Sequence, residues 1–127
     1  MSASELRGCR DLVIEDEYFL ASDLEKALKS HGAQIVGPVA ELDVAYQLAK
    51  QDHFDVAVID IKLHDEMAYP IADELVRQGI FSTGYEPRFI PKRFEGTTVW
   101  QKPFDPQELV RDVDRLFRIK QTHRRQS

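Results

Sequence analysis

Cysteine is nearly absent from this chain. Cys9 has no second thiol to pair with, which excludes an intrachain disulfide and a metal–thiolate cluster. A basic excess is absent as well: 22 acidic residues outnumber 17 basic ones, and the formal net charge of −5 argues against direct grip on nucleic acid. No apolar run is long enough to span a bilayer, and the polar opening Met1 to Arg10 has no signal-peptide core. The expected setting is therefore the cytoplasm, without membrane contact. No internal repeat or low-complexity stretch stands out, and 127 residues suffice for one domain but not for two ordinary ones.

What is present alternates strand with helix. Asp11-Leu12-Val13-Ile14 reads as a strand, followed by Leu20, Leu24, Ala27 and Leu28 at helical spacing, with Gly32 as the stop. Gln34-Ile35-Val36-Gly37 reads as a short second strand broken by Pro38, and Ala45, Leu48 and Ala49 give the next helix its buried face. Asp55-Val56-Ala57-Val58-Ile59 is continuously apolar after its first residue, the mark of a strand covered on both faces. A helix is expected from Tyr69 to Gln78, with Pro70 tolerable in its first turn and Ile71 and Leu75 buried. A fourth strand near Ile80-Phe81-Ser82 is expected to be short. The last helix is the best signalled: Asp105 as N-cap, Pro106 at the first helical position, Glu108 completing a capping-box-like start, and Leu109, Val113, Leu116 and Phe117 as the inner stripe. This alternation implies an α/β fold, a doubly wound parallel sheet with helices on both faces.

The chemistry gathers at the strand ends. Ligands of open α/β sheets bind beyond the carboxyl ends of the strands, where Asp60 and the pair Glu15-Asp16 both fall. Three carboxylates at one edge repel one another and invite a hard divalent cation. Lys102, after the β-branched run Thr97-Thr98-Val99, and Thr83, after Ile80-Phe81-Ser82, add a cation and a hydroxyl. Each has a plainer reading: an acidic pair can open a helix, Lys102-Pro103 can be an ordinary turn, and Thr83 can be a strand residue. His31, His53, His64 and His123 show no ligand spacing and are read as neither phosphodonors nor metal ligands.

In that order, the acid pair, strand-end Asp, strand-end Thr and Lys102-Pro103-Phe104 resemble the receiver domain of bacterial two-component response regulators. The resemblance covers roughly residues 10 to 118. It implies a five-stranded flavodoxin-like sheet of order 2-1-3-4-5, an N-terminal extension 1–10, a receiver 11–119 and a basic tail 120–127. It implies Mg²⁺ bound by Asp16, Asp60 and the Lys62 backbone carbonyl, with Glu15 acting through water, and Asp60 as phosphoacceptor aided by Lys102 and Thr83. The implied partners are a histidine kinase or histidine phosphotransfer protein and a downstream protein. Such a chain is a regulator that assists its own phosphoryl transfer and hydrolysis, not an enzyme in the usual sense.

Phe81-Ser82-Thr83-Gly84-Tyr85 resembles the Phe-Ala-Thr-Gly-Tyr motif of an alphaproteobacterial subgroup, although the Pro-Phe that precedes the motif there is missing. Val99 stands where the family commonly has Tyr or Phe. Pro91 breaks any helix between the fourth and fifth strands, so a loop or one distorted turn is expected, anchored by Phe89, Ile90 and Phe94. A phosphorylation-independent binding module is the alternative function. A third reading, a hydrolase with an aspartyl-phosphate intermediate, lacks its usual second Asp, because Lys62 stands two residues after Asp60.

Overall fold

Strand alternation sorts the core into two layers, one on each face of a single parallel sheet. The computed structural model describes residues 5–51, 53–84 and 90–126. In chain order the first elements are β1 (Arg10–Ile14), α1 (Tyr18–Ser30), β2 (Gln34–Val39), α2 (Leu42–Gln51) and β3 (Val56–Asp60). A small hairpin follows, β4 (Lys62–Leu63) and β5 (Glu66–Met67), then α3 (Tyr69–Glu74), β6 (Gly79–Thr83), a 3₁₀ turn (Lys92–Phe94), β7 (Thr98–Gln101) and α4 (Pro106–Gln126). The sheet order is β2-β1-β3-β6-β7, which is 2-1-3-4-5 once the hairpin strands are set aside. Every neighbouring pair in this sheet is parallel.

Successive residues of the central strands point to opposite faces. Leu12, Ile14, Ala57, Ile59 and Phe81 meet Ala45 and Ala49 of α2 and Ile71 and Ala72 of α3. Val13, Val56, Val58 and Ile80 meet Leu24, Ala27 and Leu28 of α1 and Leu109, Val113 and Phe117 of α4. Burying one such aliphatic or aromatic side chain is worth about 1.5–3 kcal/mol, so the two layers dominate the stabilisation. The apolar faces of four helices and the apolar run 56–59 of β3 thus lock the register that carries Asp60 to the sheet's carboxyl edge.

The helix ends follow their signals. Gly32, at φ 100°, lets its own N–H reach the Lys29 carbonyl and the Ala33 N–H reach that of Leu28, which closes α1. Asp105 Oδ1 accepts the Gln107 N–H at 2.9 Å and so caps α4.

Four expectations change. Pro38 does not break β2, which continues to Val39: β2 lies at the sheet edge, where a missing N–H costs no ladder bond. The irregularity is absorbed at Gly37, at φ 103°, where an added Cβ would lie 2.9 Å from both the Val13 carbonyl oxygen and the Val39 nitrogen. Helix α3 ends at Glu74 instead of Gln78, because the chain must drop at once into β6. There Gly79 passes so close to Leu75 that a Cβ would sit 2.7 Å from its carbonyl oxygen. Strand β6 is five residues, as long as β1 and β3, since Gly79 and Thr83 both belong to it.

The basic end, finally, continues as helix to Gln126, and Lys120 folds back to donate to the Phe54 carbonyl at 2.9 Å. Leu6, in the segment before β1, is fully buried and its N–H donates to the His31 carbonyl at 2.8 Å.

Between β6 and β7 the described residues hold only the 3₁₀ turn, as Pro91 required. Phe94 is buried there and Ile90 packs partly against the same layer, whereas Phe89 lies outside the described residues. Trp100 and Val99 face opposite layers, as strand alternation demands. Among the described residues no helix is long and apolar enough to cross a membrane.

Candidate functional site

Adjacent parallel strands β1 and β3 end together, and their last residues bring the carboxylates to one place. Asp60 closes β3 opposite Ser82, and Glu15 follows Ile14, its N–H donating to the Val39 carbonyl at 2.9 Å. Glu15, Asp16 and Asp60 each offer one oxygen, all within 4.8 Å of one another. Glu15 and Asp60 are buried, while Asp16 is partly open.

Lys102, just past the end of β7, supplies the countercharge. Its Nζ donates to Asp60 Oδ2 at 2.8 Å and to Glu15 Oε2 at 3.1 Å, and Glu17 Oε2 stands 3.7 Å away. Burial works to lower the Lys102 pKa, but the bonds and charges of Asp60 and Glu15 outweigh it and hold the ammonium above its ordinary value. Glu15 moves the other way. Burial and the nearby Asp60 charge push its carboxyl up to about 7, against the opposing pull of the Glu17 N–H and Lys102. Its Oε2 accepts the Glu17 N–H at 3.0 Å, but Oε1 is buried with no hydrogen-bond partner among the described residues.

Thr83 closes β6 and is buried, and its carbonyl accepts the Lys102 N–H at 2.8 Å. The same bond therefore fixes both residues at the sheet edge. The Lys62 N–H donates to Asp60 Oδ1 at 3.0 Å, which keeps residue 62 beside the cluster. All six residues singled out in the sequence thus lie at the carboxyl edge of the sheet.

Sequence reasoning missed two neighbours. Glu17 contributes its backbone N–H to Glu15, a contact without any side-chain signal. His64, set aside for lack of ligand spacing, donates its backbone N–H to Asp16 Oδ2 at 3.0 Å. Its proximity comes from the β4–β5 hairpin.

The three carboxylates form a hard, all-oxygen donor set with an orphaned buried oxygen, which fits Mg²⁺ better than a softer metal. Beside Lys102 a cleft of about 410 Å³ is lined by Glu17, Phe19, Leu20, Asp23, Phe104 and the prolines 103 and 106. Phe19 of that lining is 77% accessible, and Tyr18, 76% accessible, lines a second cavity with Glu15 and Asp16.

No family model matches the chain. It is 25% identical over 115 residues to the uncharacterized transcriptional regulatory protein YbdJ of Bacillus subtilis (strain 168), a match covering 83% of this chain and 49% of that protein. The chain thus spans about half the length of this curated relative. Among solved structures, the response regulator PhyR from Brucella abortus superposes with a TM-score of 0.76 at 25% identity, over 97% of this chain and 54% of that one. SdrG from Sphingomonas melonis Fr1 superposes with a TM-score of 0.71 at 28% identity, over 91% of this chain and 98% of that one. Structures sharing this fold include the receiver domain of the hybrid histidine kinase CckA, at 22% identity and a TM-score of 0.66, over 85% of this chain and 98% of that one.

Proposed function

We propose that residues 11–119 act as a phosphoacceptor receiver in a two-component phosphorelay, with Asp60 as the acceptor. The observation that carries this reading is the Lys102 ammonium bonded at 2.8 Å to a strand-end Asp60 that shares its edge with Glu15 and Asp16. In this reaction an Asp60 carboxylate oxygen attacks the phosphorus of a phosphohistidine. The P–N bond breaks as the O–P bond forms, and the imidazole leaves with the electron pair of the broken bond. Phosphoryl transfer asks a protein mainly to position groups and to neutralise charge on the equatorial oxygens.

Lys102 is placed to meet one such oxygen as it leaves its present bond with Asp60. The Thr83 hydroxyl is assigned to a second. The Lys62 N–H holds Asp60 Oδ1 and so fixes the rotation of the carboxylate. Asp16, Asp60 and the Lys62 carbonyl would hold Mg²⁺, with Glu15 acting through water, and the ion would supply the remaining positive charge.

The upstream partner is a histidine kinase or histidine phosphotransfer protein, and exposed Phe19 in the Lys102 cleft suits a protein donor. Output passes to a downstream protein, or the chain serves as a phosphate sink in the relay. The resemblance of Phe81-Ser82-Thr83-Gly84-Tyr85 to the Phe-Ala-Thr-Gly-Tyr motif supports a relation to that subgroup.

Incubation with a small-molecule phosphodonor and Mg²⁺, followed by intact-mass measurement, tests the assignment. The wild type is expected to gain one phosphate and Asp60→Ala none. A gain that persists in Asp60→Ala would refute Asp60 as acceptor, and no gain in the wild type would favour the phosphorylation-independent binding module.

A further inference from the structure

The β4–β5 hairpin turns on two residues ill suited to the backbone they adopt. His64 and Asp65 have φ 48° and 67°, the two positive values of a type I′ turn, positions normally taken by Asn-Gly or Asp-Gly. An L-residue with a bulky ring is strained in that region, and a persistent outlier of this kind points from structure to function. Leu63 pairs with Glu66 across the hairpin, so the N–H groups of Lys62 and His64 both point away from β5, towards the acidic edge. One reaches Asp60 Oδ1 and the other Asp16 Oδ2, each at 3.0 Å. The His64 ring then lies between two carboxylates: Nδ1 is 3.7 Å from Asp16 Oδ2, and Nε2 is 3.4 Å from Glu41 Oε1, just ahead of α2. An N–H on either nitrogen has a carboxylate to meet.

We infer that His64 is a positioning residue for Asp16, its backbone N–H and ring together anchoring that carboxylate to Glu41 for divalent-cation binding. The inference rests on the receiver reading of the site. Asp16 is the most open of the three acids, and its remaining contacts decide how much freedom it must lose when an ion binds. Groups that orient a metal ligand in this way commonly change affinity by tenfold or more when removed. The ring contacts here are long, so the effect belongs at the lower end of that range.

Calorimetric titration of the unphosphorylated full chain with MgCl₂, beside thermal melts in EDTA, separates positioning from folding. In His64→Gly the dissociation constant is expected to rise about tenfold. Its melting temperature without metal should hold or rise, because glycine adopts positive φ without strain. Glu41→Gln is expected to weaken binding about threefold in the wild type and hardly at all in the His64→Gly background, since the link to Asp16 is already broken there. Unchanged affinity in His64→Gly, or losses that simply add, would overturn the positioning role while leaving the receiver reading intact. Absence of Mg²⁺ binding by the wild type would overturn both.

Discussion

Single residues show where the chain accepts electrostatic cost. Glu15 is held near its site by the Glu17 N–H and Lys102 despite burial, which is intelligible if a cation later meets its orphaned oxygen. Asp11 lies at the opposite end of β1, fully buried, and has no such role. Its Oδ1 accepts the Cys9 S–H at 3.3 Å, its Oδ2 has no hydrogen-bond partner among the described residues, and Asp55, just ahead of β3, adds a second negative charge nearby. Burial first, then the Asp55 charge, pushes its carboxyl up to about 7, against the Cys9 bond, while Lys120 of α4 is engaged with Asp55 at 3.3 Å. A carboxyl whose folded pKa is raised favours the fold while protonated, so its contribution is full below about 4 and is lost as pH rises to about 7. Asp11→Asn is therefore expected to melt like wild type at pH 4 and to be more stable at pH 8, by on the order of 4 kcal/mol at most. Chemical denaturation at the two pH values checks this, and equal stabilities at pH 8 would count against it. Neither Glu17 nor His64 was legible in the sequence, because the Glu17 contact is made by a backbone N–H and the position of His64 beside Asp16 is set by tertiary structure.

At the scale of elements, α1 and α4 and the central strands were legible because period and caps agree with packing. Pro38 misled because nothing local says that its strand lies at an edge. The β4–β5 hairpin was hidden because His-Asp lacks the glycine that usually announces a two-residue turn. The 3₁₀ turn was legible through Pro91, and its anchor, Phe94, meets Phe81 edge-on at 5.3 Å and Tyr69 at 5.9 Å. Arg93 beside it pairs with Asp73 of α3 at 2.8 Å. Phe94→Ala is expected to cost about 3–5 kcal/mol in urea unfolding, since it empties a buried ring site between β6 and α3. A loss below about 1 kcal/mol would mean that the segment is not anchored there. Few backbone bonds hold this turn, chiefly Phe94 N–H to the Pro91 carbonyl at 3.0 Å and Glu95 N–H to that of Lys92 at 2.9 Å. Phosphorylation is expected to act by ordering it, seen as slower amide exchange across residues 90–96, and equal exchange in the two states would refute this.

For the whole molecule, one parallel sheet brings four strand ends to a single edge, so a ligand there bridges elements distant in sequence. That architecture was legible from alternation alone, whereas the closeness of Lys102 to both Asp60 and Glu15 depends on the sheet order. An ion bound only by the native state raises stability by mass action, so millimolar-scale Mg²⁺ is expected to raise the melting temperature of the wild type and not that of Asp16→Asn. Equal responses would place the ion elsewhere. Asp60 as the phosphoryl carrier is tested most directly by treating the phosphorylated protein with borohydride, which reduces an aspartyl phosphate to homoserine, and mapping the peptides by mass spectrometry. The expected result is homoserine at position 60 alone. An intact Asp60 with the reduction or the phosphate at another residue would contradict it.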